Sequence, residues 1–179
     1  MGHFYFVRHG QTVWNSENKI CGNTDSELTE KGHDQAIEAG RLMAEEKIKA
    51  DEILYSPLTR AAETARHISE ITGIPRRCEE RLREQNFGKW EGTSPRDAKG
   101  FIEAKAQFVS SFEGGESMLH LAQRVYNVID EIKKEPDKVY ILVAHNGIAR
   151  VVYSYFHDMT NEEYAAFTIK NCQVMKFDF

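Results

Sequence analysis

Residues 139–144 read Val-Tyr-Ile-Leu-Val-Ala, a run of apolar side chains with no polar interruption. A strand with one wet face alternates polar and apolar residues. A run without alternation fits a strand covered on both faces, as in a parallel sheet between helical layers. The rest of the chain agrees. His3–Val7 is a second short apolar-aromatic run and Glu52–Tyr55 a third, with helical patterns between them. Thr29–Lys47 opens with Thr29 as N-cap and carries Ala36, Ile37, Ala39, Leu42 and Met43 at helical spacing. Ser56 and Pro57 read as the cap and first residue of another helix, ended after Thr72 by Gly73 and Pro75. Ser117–Lys134 is helical, with Leu119, Ala122, Val125, Val128, Ile129 and Ile132 on one side, and a last helix runs from His145-Asn146-Gly147 through Phe156. Arg76–Leu82 reads as a more exposed strand and Cys172–Phe179 as a final edge strand. This alternation predicts an α/β fold, an open and mostly parallel sheet with helices on both sides. Ligands of such sheets bind beyond the carboxyl ends of the strands.

At 179 residues, 41% of them hydrophobic, the chain can close one sizeable core as a single domain, 1–179. Its net charge of −5 gives no general field to hold DNA, RNA or an anionic membrane, so nucleic acid and membrane partners are not expected. An anion must therefore be bound by a few placed cations. Cys21, Cys78 and Cys172 are odd in number and lack metal-ligand spacing, which points to free thiols in a reducing compartment. The opening MGHFYFVRHG lacks the apolar core of a secretory signal and no run is long enough to span a bilayer; a cytoplasmic protein is expected.

Two apolar runs end in histidine: FYFVR leads to His9 and YILVA to His145. If their strands are neighbours, both rings emerge at one sheet edge. Arg8 stands beside His9, and Arg60 follows the third run in EILYSPLTR. Two guanidiniums suit a tetrahedral oxyanion such as a phosphoryl group. Cations around an imidazole lower its pKa and leave a nitrogen free to attack phosphorus, while a second imidazole can stabilise the equatorial oxygens. A leaving alkoxide needs a proton. Glu84, among Leu82, Phe87 and Trp90, is the candidate donor, held protonated by that apolar setting. Glu79, Glu80 and Glu91 read as surface charges.

Arg8-His9-Gly10-Gln11-Thr12-Val13-Trp14-Asn15 resembles the RHG signature of the histidine phosphatase superfamily, in its phosphoglycerate-mutase-like branch. The resemblance spans the chain, through Cys21-Gly22-Asn23-Thr24-Asp25, Leu28-Thr29-Glu30-Lys31-Gly32, Ser56-Pro57-Leu58-Thr59-Arg60-Ala61, Leu82-Arg83-Glu84, Phe87-Gly88-Lys89-Trp90-Glu91-Gly92, Gly114-Gly115-Glu116-Ser117 and His145-Asn146-Gly147, in family order. It implies a three-layer α/β/α sandwich around a mostly parallel sheet with one antiparallel edge strand. By the same resemblance His9 is the nucleophile that becomes phosphohistidine. Arg8, Arg60 and His145 hold the phosphoryl oxygens, and Glu84 protonates the leaving group and then activates water. Gln11, Asn15, Cys21, Gly22 and Asn146 join the phosphate-binding set. Asn146 stands where the family more often has Gly, and its side chain is expected to narrow the pocket.

No metal or cofactor is expected, because the arginines supply the positive charge and neither HExxH nor CxxC occurs. His3, His33, His67, His120 and His157 show no ligand spacing and read as bystanders. Residues 85–115 form the expected cap or lid. Phe87, Trp90, Phe101, Phe108 and Phe112 either line the pocket or pack the cap, and Arg96, Lys99 and Lys105 lie among them. The segment is short where the mutases of the family carry an inserted cover, which favours hydrolysis of a small-molecule phosphomonoester. The alternatives are an α-ribazole-phosphate phosphatase, a phosphoglycerate mutase, or a weakly catalytic phosphate-binding module. A homodimer is possible, its apolar final strand offering a surface.

Overall fold

The computed structural model describes residues 2–179. Five strands form one sheet: β1 (His3–Arg8), β2 (Glu52–Tyr55), β3 (Arg76–Cys78), β4 (Tyr140–Ala144) and β5 (Val174–Asp178). Their order is β3-β2-β4-β1-β5, all pairs parallel except β1 with β5. The helices are α1 (Val13–Ser16), α2 (Glu30–Glu45), α3 (Thr59–Thr72), α4 (Phe101–Lys105), α5 (Met118–Lys133), α6 (Asn146–Phe156) and α7 (Asn161–Ala166). The three-layer sandwich with an antiparallel edge strand is thus observed.

The unalternating run is the central strand β4, and all five of its residues are buried. Successive side chains of a strand point to opposite faces, so β4 serves two cores. Tyr140, Leu142 and Ala144 join Phe4, Phe6, Leu121, Val125, Ile129 and Ile148 on the face covered by α5 and α6. Ile141 and Val143 join Val7, Met43, Ala61, Ala65 and Ile68 on the face covered by α2 and α3. All three residues of β3 are exposed at the far edge, and Arg77 there pairs with Glu52 at 3.3 Å. A charged edge of this kind discourages pairing with another chain.

Several local expectations shift. Residues 80–82 form a turn of 3₁₀ helix, so the third strand stops at Cys78. Leu42 and Leu119 are exposed; Leu121 takes the core position on α5 instead. The helix expected from Ser56 begins only at Thr59, because Ser56 is buried and bonded elsewhere. Its N-cap Leu58 has no capping side chain, and Asp25 takes that part from a distance. The Asp25 carboxylate accepts from the Thr59 backbone N–H at 3.0 Å and from its hydroxyl.

Segment 85–115 packs around its own small core. Phe87, Phe101 and Phe112 are buried with Ile20 and Ala98, and Phe87 meets the other two edge-on at 5.5 and 5.7 Å. These rings hold the segment together, whereas Phe108 lines a cleft with Met118 and Tyr164. Arg96 and Lys99 are exposed to solvent.

Candidate active site

β1 and β4 are paired with Arg8 opposite Ala144, so His9 and His145 leave neighbouring strand ends. Their ring centroids are 5.2 Å apart. β2 is the other neighbour of β4, and its next residue, Ser56, reaches the same edge.

His9 is buried, and its Nδ1 lies 2.7 Å from the Gly10 carbonyl. A carbonyl only accepts, so Nδ1 carries the proton and the neutral ring keeps its lone pair on Nε2. Burial first, and then the Arg60 and Arg8 charges, push the His9 pKa well below the ordinary histidine value. The loop beneath is close-packed. Gly10 N–H donates to Thr64 Oγ1 on α3 at 3.0 Å, and a Cβ on Gly10 would lie 2.3 Å from the Gly32 carbonyl of α2.

His145 is fully buried and bonded at both ring nitrogens. Arg60 Nε donates to Nδ1 at 3.1 Å, and Ser56 Oγ lies 2.6 Å from Nε2. Arginine only donates, so Nδ1 is the acceptor and Nε2–H points to the serine. Burial and the Arg60 charge lower its pKa strongly as well. The ring therefore orients Arg60, and contact with a phosphoryl oxygen would compete with these two bonds. Arg60 is itself 1% exposed. It also donates to the carbonyls of Thr24 and Gly22, at 3.0 and 2.7 Å. Three of its five N–H groups are thus used, leaving two for a ligand. Arg8 donates to the Ile169 carbonyl, and its buried Nε has no partner in the protein. Burial lowers its pKa, with Glu84 pulling the other way.

Glu84 is buried beside them, but not in the apolar setting expected. Its Oε1 accepts from Gln85 N–H and its Oε2 from Gly147 N–H, both at 2.9 Å. Gly147, not residue 146, is where a side chain would disturb Glu84: a Cβ there would lie 2.4 Å from Glu84 Oε1, so the carboxyl group would have to shift. Asn146 turns its side-chain oxygen to Ile169 N–H and the Thr168 hydroxyl, at 3.0 and 3.2 Å, so it braces that loop. Asn15 Oδ1 closes the capping box of α1 on Thr12 N–H, leaving its amide NH₂ as the group it can offer. Gln11 Oε1 accepts from the Thr29 hydroxyl at 3.0 Å. Gly22 contributes its carbonyl to Arg60, and Cys21 directs its thiol to the Thr24 carbonyl.

Arg150 was not singled out in the sequence, and Glu91 and Lys105 take parts that the sequence did not assign them. Glu91, read as a surface charge, accepts from the N–H groups of Asn23, Thr24 and Phe87 at 2.8, 2.7 and 2.9 Å, and from the Thr24 hydroxyl. It buckles the Arg60-holding loop to segment 85–115. Its place in the Trp90-Glu91-Gly92 motif was the available signal. Lys105 and Arg150 line a cleft with Tyr164. Burial, then the Arg150 charge, lowers Lys105 to about 8, while Glu84 opposes the shift. Among the described residues neither cation has a carboxylate partner within ion-pair distance.

The family model described as histidine phosphatase superfamily (branch 1) matches residues 4–179. The chain belongs to the histidine phosphatase superfamily. The phosphatase is 33% identical over 156 residues to the glucosyl-3-phosphoglycerate phosphatase of Mycobacterium tuberculosis, covering 79% of this chain and 69% of that protein. It is 30% identical over 181 residues to the probable phosphoglycerate mutase GpmB of Erwinia tasmaniensis, 97% and 83% of the two chains. Among solved structures, a mycobacterial glucosyl-3-phosphoglycerate phosphatase in complex with VO3 superposes with a TM-score of 0.85 at 28% identity, over 98% of this chain and 90% of that one. No helix of the phosphatase, among its described residues, is long and apolar enough to cross a membrane.

Proposed function

We propose that the phosphatase hydrolyses a small phosphorylated metabolite through a phosphohistidine, with no metal in the chemical step. His9 Nε2 attacks phosphorus as the ester P–O bond breaks, and the leaving oxygen takes the proton of Glu84. Glu84 then removes a proton from water, whose oxygen displaces His9 and releases inorganic phosphate. Arg8 and Arg60 carry the charge of the equatorial oxygens, and His145 positions Arg60. Segment 85–115 serves as the cap over this site. The supporting observation is the His9 ring, fixed by its Nδ1–H bond to Gly10 with Nε2 left as the nucleophile.

Lys105 and Arg150 favour a substrate whose organic body bears a second anion, such as a carboxylate. The similarity to a phosphatase named for a phosphoglycerate ester supports the same class.

The test is p-nitrophenyl phosphate turnover in EDTA. Release by the native chain, lost in His9→Ala, and an acid-labile, alkali-stable protein phosphate support the reading. No release from about pH 5 to about pH 8 overturns it. A panel ranked by kcat/KM then tests the substrate class: glyceric-acid phosphates should lead, and α-ribazole phosphate, without a carboxylate, should trail. With 3-phosphoglycerate and catalytic 2,3-bisphosphoglycerate, isomer appearing faster than inorganic phosphate would mark a mutase instead.

A further inference from the structure

His33 lies 34 residues before His67, and nothing in the sequence joins it to Glu63 and His67 or sets the three apart from solvated surface. The packing of α2 against α3 brings them together. His33 Nδ1 lies 2.9 Å from His67 Nε2, with the rings edge-on at 83°. Glu63 and His67, one helical turn apart on α3, share a face. One donor atom from each of the three residues falls within 4.8 Å of the others, and all three are half-buried. None of them hydrogen-bonds to His9, Glu84, Arg8, Arg60 or His145 among the described residues.

We propose that His33, Glu63 and His67 bind one divalent transition-metal ion of the zinc class, clamping α2 to α3 outside the catalytic cluster. Two imidazoles and one carboxylate are a donor set for zinc, cobalt or nickel, and a poor one for the all-oxygen cations calcium and magnesium. Tetrahedral coordination at about 2.0–2.1 Å sets donor atoms about 3.3 Å apart, so the two rings need to part by only a few tenths of an ångström. The nitrogens now share one hydrogen. On binding, that proton moves through water to the outward nitrogen of the same ring, both imidazoles stay neutral, and both inward lone pairs face the ion. Water takes the fourth position.

Arg66 is the built-in competitor. It donates to Glu63 Oε2 at 3.1 Å from Nε and 2.9 Å from a terminal nitrogen, and another of its contacts reaches His67 Nε2 at 3.3 Å. Its remaining arm is bidentate on Glu70, at 2.9 Å to each oxygen. Arg66 can therefore release Glu63 to a metal and keep a carboxylate partner. The clamp also touches catalysis at one remove. Thr64, beside Glu63, accepts from Gly10 N–H, and Gly32, beside His33, packs on the Gly10 backbone. An ion across α2 and α3 would stiffen the two supports of the His9 loop.

The experiment titrates Zn²⁺ into the full chain, first stripped with EDTA and then freed of chelator, by calorimetry, with the visible spectrum of the Co²⁺ form as the second readout. One equivalent should bind with a tetrahedral cobalt spectrum. Affinity should fall at least about tenfold in His33→Ala and in His67→Ala. It should rise several-fold in Arg66→Ala, which frees Glu63 and removes a positive charge. His9→Ala should keep the full stoichiometry. No binding by the native chain overturns the proposal, as does binding that either His33→Ala or His67→Ala leaves unchanged. If a histidine variant fails to fold, Arg66→Ala decides: tighter binding supports the site, and equal or weaker binding overturns it. Because the readout is binding, failure here is separate from any failure of the hydrolytic mechanism.

Discussion

Glu84 is held in place by the backbone of Gly147, whose N–H donates to Oε2 at 2.9 Å while the missing side chain leaves room for Oε1. A methyl at residue 147 would sit 2.4 Å from that oxygen, so Gly147→Ala displaces the carboxyl group. General acid–base groups contribute about 10²–10⁴ in rate. Gly147→Ala should thus lower kcat on alkyl phosphates about a hundredfold with the fold intact by circular dichroism. An unchanged kcat would remove this contact from the mechanism.

Glu84→Gln keeps the size of the side chain and removes its acidity. Loss should be steep on esters with poor leaving groups and slight on aryl phosphates, whose phenolates leave without a proton. Equal loss on both, read from kcat across a leaving-group series, would assign Glu84 a structural part only.

Glu91→Ala should act on binding. It frees three backbone N–H groups and a hydroxyl that fix the loop holding Arg60. At about 1.5–3 kcal/mol for a hydrogen bond to a charged group, losing even one of these costs about ten- to a hundredfold in kcat/KM. The inhibition constant of vanadate should rise in parallel; an unaltered constant would show that the loop holds Arg60 without Glu91.

The pH behaviour follows from the two buried imidazoles. Burial, then the arginine charges, lowers both pKa values, so both rings stay neutral at pH 6.5 where the unfolded chain takes up protons. The unfolded state then binds more protons, and stability rises with pH up to the unfolded value. As pH falls below about 6.5, each ring withdraws up to about 1.4 kcal/mol per pH unit. The urea midpoint without phosphate should drop between pH 7.5 and 5.5, and the nitrogen shifts of His9 and His145 should not titrate near 6.5. A midpoint that rises on acidification contradicts this.

Much of the framework was legible in the sequence. Each apolar run that ends in histidine is a local pattern, and local patterns survive folding: β1, β2 and β4 stand where they were read, and His9 and His145 emerge side by side. What stayed hidden was the choice of polar partners. Asp25 caps α3 across 34 residues and Glu91 reaches Asn23 across 68, distances that no periodicity reports. Ser56 looked like a cap because serine before proline usually is one; His145, 89 residues on, claimed its hydroxyl. The phenylalanines of segment 85–115 were ambiguous for a related reason, since an apolar ring has the same sequence signature whether it meets a ligand or another ring.

The strand β4, with Leu142 turned to one core and Ile141 to the other, leaves the two halves of the interior no way to come apart separately. A hole cut on one side by Leu142→Ala, at about 2–5 kcal/mol, weakens the common wall and reaches the opposite layer as well. Melting should therefore be a single cooperative event, with no surviving half-molecule able to keep either histidine in its socket.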